Sequence, residues 1–583
     1  MKKVSEFIKF VIEKLKRSIN RFPITMVVTA IFVTIAIILA HQNYNSVNRD
    51  LYERMLFAVA LAIPLTATAK LIAERYKLEG LQKTLVDAGS LLLPLAYYFT
   101  IPKDYNEYFV MRFFALWAIL YLVFLMVPYF YKRPGLSRYI LYLFGRFFLT
   151  VLYSGVLFAG LAIMVFTIEE LFGVNWWDEI YFDVFIIIAG AFGVTHFLGS
   201  VPEIQTDVEL SAFSKVFRGL FLFIILPIIS VYTLILYAYF IKLLFSFELP
   251  EGVIGNLVLW YAMVSVATLF FIRDLRVEIP WLNKFYKFYI PAMVVPLAML
   301  FVAIFIRINA YGITMPRYFV VALAVFSAVS LAGMWAVKKD TAVLTVSLLI
   351  AFIGISFFGF FSGYSLTRAS QIQVLENLLN ENAMLSNGKL VANTNLSLDK
   401  QRKISDQINF LINHFEVDEI ETLPADFDRE KAKDFLGFEL INYWGGPADK
   451  NTYFNYFDKE PTRVVDLSGA DYLLMVNSYE IKPKLAIDPS GTYFIDKAQS
   501  NMLNIYKGDR ILLTIDLNEG AKTFYLNQEV RPTFESEEGH VKVILDFINI
   551  SGRVVGDETP ISGDDLSIDH YDLRILIDLD ESL

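Results

Sequence analysis

Over its first 363 positions the chain alternates long apolar runs with short polar connections, and after that the rhythm changes. A helix that crosses a bilayer needs about 20 apolar residues. Eleven runs approach that length: 23–40, 55–73, 85–101, 109–130, 147–167, 180–199, 219–241, 254–272, 288–306, 317–337 and 341–363. The weakest, 85–101, is short and includes Asp87 and Pro94. Ahead of them, residues 1–22 repeat Val4, Phe7, Ile8, Val11, Leu15 and Ile19 at helical spacing, with Lys and Arg on much of the other face. That pattern predicts an amphipathic cytoplasmic helix at the membrane surface.

Beyond 363 the apolar positions first keep helical spacing. Ile372, Leu375, Leu378 and Leu379 predict one helix, and Ile404, Ile408, Leu411, Ile412 and Phe415 a second over 398–415 with Ser397 as its N-cap. A short third is expected at 428–436. After Trp444-Gly445-Gly446-Pro447 the period becomes two. Ile511, Leu513, Ile515 and Leu517 alternate with polar neighbours, as do Val541, Val543, Leu545 and Phe547. Leu573, Ile575, Ile577 and Leu579 do so against Asp572, Arg574 and Asp578. Such alternation predicts half-buried antiparallel strands. The expected organisation is an amphipathic helix at 1–22, a transmembrane domain at 23–363, a helical stalk at 364–440 and a β-rich part at 441–583.

The connections also give an orientation. Short cytoplasmic loops carry the Lys/Arg excess. With the N-terminus inside, the inner segments hold about 22 Lys/Arg and the outer ones about 5. Removing the weak 85–101 run would reverse every later loop and destroy that bias. The fold class expected is therefore a polytopic α-helical membrane protein of about eleven spans with a C-terminal α+β extracytoplasmic domain.

Composition sharpens the division. The chain is 56% hydrophobic and 19% charged, against about a quarter charged in soluble domains. Residues 1–363 hold 30 Lys/Arg and 22 Asp/Glu, whereas 364–583 hold 21 and 38. An acidic outer part of that kind repels nucleic acid. With no cysteine, disulfides, thiolate nucleophiles and Cys-ligated metal sites are excluded.

Candidate chemistry is sparse. Arg112, Arg146 and Lys242 sit near run ends, where long side chains reach the interface. Asp87 and His196 are the candidate intramembrane groups, His196 lying among Gly190, Gly193 and Gly199, which permit close helix approach. An outer loop gathers Glu169, Glu170, Asp178, Glu179 and Asp183 around Trp176 and Trp177. It reads either as a metal site or cation mouth or as an aromatic belt with charges on the Lys/Arg-poor side. Pro64, Pro94, Pro227, Pro291 and Pro296 fall inside runs and predict kinks. His414, His540 and His570 are isolated, and the acidic stretch 563–572 is expected as a solvated loop before a strand, with Ca²⁺ binding the sharper reading. No nucleophile elbow, phosphate loop, HExxH or EF-hand pattern is present, so no catalytic, cofactor or metal residue is assigned.

The most specific connection is RINAYGITMPRYFV, residues 307–320. Gly312 is placed for a positive-φ turn, Thr314 for an N-cap and Pro316 for the first turn of the next helix. Arg307 and Arg317 are candidates to pair with acidic groups, bind lipid phosphate or clamp the junction. Tyr311, Gly312, Thr314 and Arg317 fit a Y-G-[LI]-T-x-x-R turn. In this the chain resembles a family of bacterial multi-spanning membrane proteins known only as a domain of unknown function, four-one-five-three. The likeness covers residues 1 to about 415 and implies a bacterial cytoplasmic membrane but no activity.

The functional expectation is a non-enzymatic membrane protein of envelope biogenesis or transport. Its partners would be membrane lipids and an envelope protein, glycan or lipid ligand held by the outer domain. The alternatives are a membrane-embedded transferase or hydrolase of lipid-linked substrates using Glu169, Glu170 or Asp178, and a transmembrane sensor.

Overall fold

A computed structural model describes residue 13 and residues 15–579, apart from 44–45, 47, 104, 131–134, 174–178, 205–211, 247–251, 277, 338–340, 387, 442–450, 458–469, 478–484, 489, 500–501, 518, 521–522, 524–531, 537–540 and 556–565. Most of the expected amphipathic helix at 1–22 lies outside the described residues; Leu15–Arg21 is helical. The chain divides into two compact units, Met1–Val374 and Leu375–Leu583.

The first unit is built of helices: α1 (Pro23–Ala40), α2 (Arg49–Tyr76), α3 (Gly80–Tyr98), α4 (Glu107–Met126), α5 (Leu136–Phe172), α6 (Ile180–Leu198), α7 (Val216–Leu243), α8 (Gly252–Ile272), α9 (Pro280–Ala292), α10 (Val294–Tyr311), α11 (Met315–Ala336) and α12 (Ala342–Phe357). The division between the units falls within α13 (Gly363–Glu381). Among the described residues nine stretches are long and apolar enough to cross a membrane, with α9 and α10 forming one of them, Pro280–Tyr311. This is a membrane protein. The other two expected spans are helical but fall short. Helix α3 carries Lys83 and Asp87, and α12 has 16 residues, ending before Gly359 takes φ +80°.

Side chains facing inward, among them Leu71, Leu136, Leu143, Leu269, Ile272 and Leu282, form one core, while Phe148, Phe223, Phe245 and Phe288 stay exposed. Outward apolar side chains on such helices suit a hydrocarbon solvent. Where backbones approach, small residues are required: a Cβ on Gly190 would stand 2.6 Å from Val33 Cγ2 of α1. Pro64 and Pro94 lie inside the continuous helices α2 and α3, while the other three lie beside helix irregularities. Pro227 lies two residues beyond a π-helical segment, Leu220–Ile225, and the break at Met293 lies between Pro291 and Pro296. Pro296 has no N–H for the carbonyl four residues back, at Ala292. The Tyr237 hydroxyl of α7 donates to that carbonyl at 2.9 Å.

In the second unit, α14 (Leu398–His414) buries Ile404, Ile408 and Leu411, and α15 (Ala432–Leu436) follows. Ser397 is the N-cap residue of α14, without a side-chain cap bond. The strands are β1 (Leu385–Ser386), β2 (Lys389–Leu390), β3 (Asn451–Phe457), β4 (Tyr472–Asn477), β5 (Leu485–Ala486), β6 (Tyr493–Gln499), β7 (Met502–Lys507), β8 (Arg510–Asp516), β9 (Thr533–Glu535), β10 (Val541–Val555) and β11 (Leu566–Leu579). One antiparallel sheet runs β3-β10-β11-β4 with β9 on β10, and another runs β5-β6-β7-β8. Ile495, Leu503, Ile505 and Ile515 of the second sheet share a core with Val543, Leu545, Ile575 and Ile577 of the first. Two strand expectations need correction. A register shift opposite Ile505/Tyr506 leaves Leu512 as an extra residue, and Ile511 becomes exposed rather than facing the core. Arg574 is buried rather than solvent-facing, paired across strands with Asp546 at 3.1 Å.

Candidate functional site

Among the described residues of the acidic connection no cation site is gathered. Glu169, at the end of α5, accepts a hydrogen bond from the Tyr181 hydroxyl at 2.6 Å, while Asp183 meets His41 Nε2 at 2.8 Å. Glu170 is exposed, Glu179 is the N-cap residue of α6, and Asp178 lies outside the described residues, as do Trp176 and Trp177. Among the described residues no three His, Asp or Glu gather as metal ligands.

The two intramembrane candidates lie apart in character. Asp87 is half-buried on α3. His196 is 2% exposed, and its Nδ1 lies 2.8 Å from Thr150 Oγ1. The rings of Tyr153 and Phe192 flank it at 5.5 and 5.7 Å. It follows a π-helical segment, Ile187–Gly193, a distortion often found where helices carry function.

A cluster that charge-seeking reasoning missed lies between α7, α8 and α9. Tyr261 and Tyr289 hydroxyls are 3.0 Å apart, with Thr233 Oγ1 2.5 Å from Tyr261 and Ser265 Oγ 2.8 Å from Tyr289, all buried. The signal was present as Tyr261 and Ser265 at i and i+4, but hydroxyls joining helices in lipid are general packing devices.

The connection after α10 is the most constructed place in the first unit. Gly312 takes φ +72°, ψ −179°, a conformation close to glycine-only. A Cβ there would meet Gln371 Nε2 at 2.9 Å, Ser370 Oγ at 3.0 Å and Val374 Cγ2 at 3.0 Å. Helix α13 therefore lies directly on the turn. Ser370 Oγ accepts from the Ile313 amide at 2.8 Å, and Gln371 Nε2 donates to the Tyr311 and Ile313 carbonyls at 3.1 and 2.9 Å. Arg317 Nη1 donates to the Tyr311 and Gly312 carbonyls at 3.2 and 2.8 Å, and its guanidinium lies 5.3 Å from the Tyr311 ring centre. Those carbonyls end α10 and have no helical donor of their own. Thr314 is the N-cap residue of α11, with Pro316 in the first turn, but its side chain makes no cap bond. Arg307 is exposed on the last turn of α10.

The same end of the bundle carries an aromatic and cationic cluster. Tyr318 donates to the Phe361 carbonyl at 2.7 Å. Tyr108 at the start of α4 stacks on Tyr364 of α13, centroids 4.1 Å apart, and donates to the Phe357 carbonyl at 3.0 Å. Arg112 lies over the Tyr108 and Phe358 rings, and Arg368 over Tyr364. Of the sequence-selected residues, Tyr311, Gly312, Thr314 and Arg317 are brought together here.

Residues 11–398, which include the whole of this turn and its α13 partners, match the model of a family described as Domain of unknown function (DUF4153). The chain belongs to the DUF4153 family. The match stops short of the β-rich strands from Asn451 onward. A similar protein is the Uncharacterized protein PM1469 of Pasteurella multocida (strain Pm70), 26% identical over 318 residues, covering 53% of this chain and 51% of the relative. The DUF4153 chain thus spans about half the length of that relative. No solved structure matches it.

Proposed function

We propose that this chain is an integral protein of the bacterial cytoplasmic membrane, crossing it eleven times with the N-terminus inside and residues 364–583 outside. In this reading it is a non-enzymatic component of envelope biogenesis or transport, and its acidic outer part binds an envelope protein, glycan or lipid. The observation that carries the topology is how polar contacts sort the helix connections into two sets. Arg21 binds Glu74 and the Val201 and Pro202 carbonyls, Arg75 the Phe130 carbonyl, Arg138 Asp274, and Arg273 Thr341. Each of these joins two connections assigned to the Lys/Arg-rich inner side. His41 with Asp183, Tyr105 with Glu53, Tyr108 with Phe357, and Gln371 with the Tyr311 turn join connections assigned to the outer side.

The two shorter helices fit as the remaining spans. Helix α12 begins beside Thr341 in the first set and ends at Phe357 in the second. Helix α3 leads from the connection after Arg75 to the one holding Tyr105. Of the carboxylates an enzymatic reading would use, Glu169 is engaged by Tyr181, Glu170 is exposed, and Asp178 lies outside the described residues.

A reporter active only outside the cytoplasm, fused at the C-terminus, tests the orientation: activity is expected, and an inside-only signal overturns it. Crosslinking from the outer part in intact cells tests the role. Capture of one reproducible envelope component is expected; the absence of any, together with no lipid or solute binding by reconstituted protein, would sink it.

A further inference from the structure

An open apolar groove of about 430 Å³ runs along α10 and α11, lined by Phe301, Ile304, Phe305 and Ile308 on one side and Val321 on the other. Its upper end is cationic. Arg307 lies one turn beyond Ile304 on α10, and Arg317 one turn before Val321 on α11, so both residues follow the groove lining at the same end of the helix pair. They lie close enough to feel one another's charge, and neither has a carboxylate partner among the described residues. Arg317 uses Nη1 on the Tyr311 and Gly312 carbonyls, leaving its other donors available, and Arg307 makes no hydrogen bond among the described residues. Two like charges beside an apolar trough are stabilised by a divalent-oxygen anion between them and a hydrocarbon chain below.

We propose that this groove is a binding site for an anionic phospholipid, its phosphate held between Arg307 and Arg317 and an acyl chain lying against Phe301, Ile304, Phe305 and Val321. The inference goes beyond the topology reading and needs only that α10 and α11 stand in a bilayer. A free phosphate would gain nothing from the groove; the lipid uses both parts.

The test uses the full chain, delipidated in detergent and given dioleoyl phosphatidylglycerol or dioleoyl phosphatidylcholine, with retained lipid counted by native mass spectrometry. Preference for phosphatidylglycerol by at least about tenfold is expected, because the choline ammonium of phosphatidylcholine is repelled by the two guanidinium groups while glycerol adds no charge. Arg307→Gln, which removes no bond within the fold, should bring the two lipids close to parity. Val302 also lines the groove, and Val302→Trp, which fills it, should reduce retention of both. Equal retention of the two lipids by the unaltered protein would overturn the proposal. So would full retention by Val302→Trp, or displacement of the lipid by millimolar inorganic phosphate alone. A reversed C-terminal reporter would refute the topology and leave these outcomes standing.

Discussion

The side-chain amide of Gln371 stands 2.9 Å from where a β-carbon on Gly312 would be, and the same nitrogen donates to the carbonyls on both sides of that glycine. Turn and helix are thus fitted to each other through a missing side chain. Gly312→Ala meets two penalties: the φ +72°, ψ −179° conformation costs of order 1–3 kcal/mol for a residue with a β-carbon, and the Gln371 amide must move. Gln371→Ala takes that donor from the Ile313 carbonyl and leaves the Tyr311 carbonyl with Arg317, about 1–3 kcal/mol. Both variants should unfold at lower temperature in detergent, followed by tryptophan fluorescence. The double variant should lose less than the two losses added, because they disrupt one contact. Unchanged melting of Gly312→Ala would show that α13 does not hold the turn.

Much of this was legible in the sequence, and the failures have physical causes. The turn residues were readable because a positive φ before a proline-started helix leaves few choices of amino acid. Their partners, Ser370 and Gln371, were not: nothing local marks a polar residue whose contact lies some sixty positions back. The α13 stripe was read through Ile372, whereas the buried positions include Thr367, Gln371, Leu375 and Leu379, since a polar face can be buried when it meets backbone carbonyls. Strand faces were recovered at Leu573, Ile575, Ile577 and Leu579. They failed at Ile511, where a one-residue bulge resets the period, and at Arg574, whose burial depends on a carboxylate on another strand.

That buried pair makes a sharp prediction. Arg574 Nη1 and Asp546 Oδ2 are 3.1 Å apart, with both side chains shielded from solvent. Removing one partner leaves the other charge uncompensated, at a cost of about 3–5 kcal/mol, whereas replacing both with apolar residues is often neutral. Arg574→Met should therefore speed amide exchange through β10 and β11 in the full chain. Arg574→Met with Asp546→Leu should restore most of the protection. Equal protection in the single variant and the unaltered protein would contradict the assignment of a charged, paired Asp546.

Inside the membrane unit the two hydrogen bonds of Thr150 make the tautomer of His196 testable. Thr150 Oγ1 lies 2.9 Å from the Arg146 carbonyl and 2.8 Å from His196 Nδ1. A hydroxyl has one hydrogen. Given to the carbonyl, it leaves the Thr150 oxygen to accept from Nδ1–H, so neutral His196 carries its proton on Nδ1. Nitrogen-15 NMR of histidine-labelled protein should show that form, and a protonated Nε2 in neutral His196 would refute it. Thr150→Val removes the acceptor at a cost of about 1–3 kcal/mol in thermal stability, and Thr150→Ser should recover it.

The turn before β6 supplies a pH-dependent prediction. Asp488 accepts from the Ser490 hydroxyl and, through Oδ1, from the Thr492 and Tyr493 amides at 2.9 and 2.7 Å. These bonds favour the ionised carboxylate, the Ser490 contact most, and hold Asp488 below the usual carboxylate range. A folded value below the unfolded one means the turn's support is present above the ordinary aspartate range and is lost as pH falls through the lower folded value. Exchange at the Thr492 and Tyr493 amides, corrected for intrinsic rates, should stay slow through neutral pH and rise only as pH falls below the ordinary aspartate range. Asp488→Asn retains an acceptor oxygen of the same reach, so its amides should remain protected without the acid-range loss. Asp488→Ala should expose both at every pH. If Asp488→Asn showed the same acid-range rise as the unaltered chain, the titrating group would lie elsewhere.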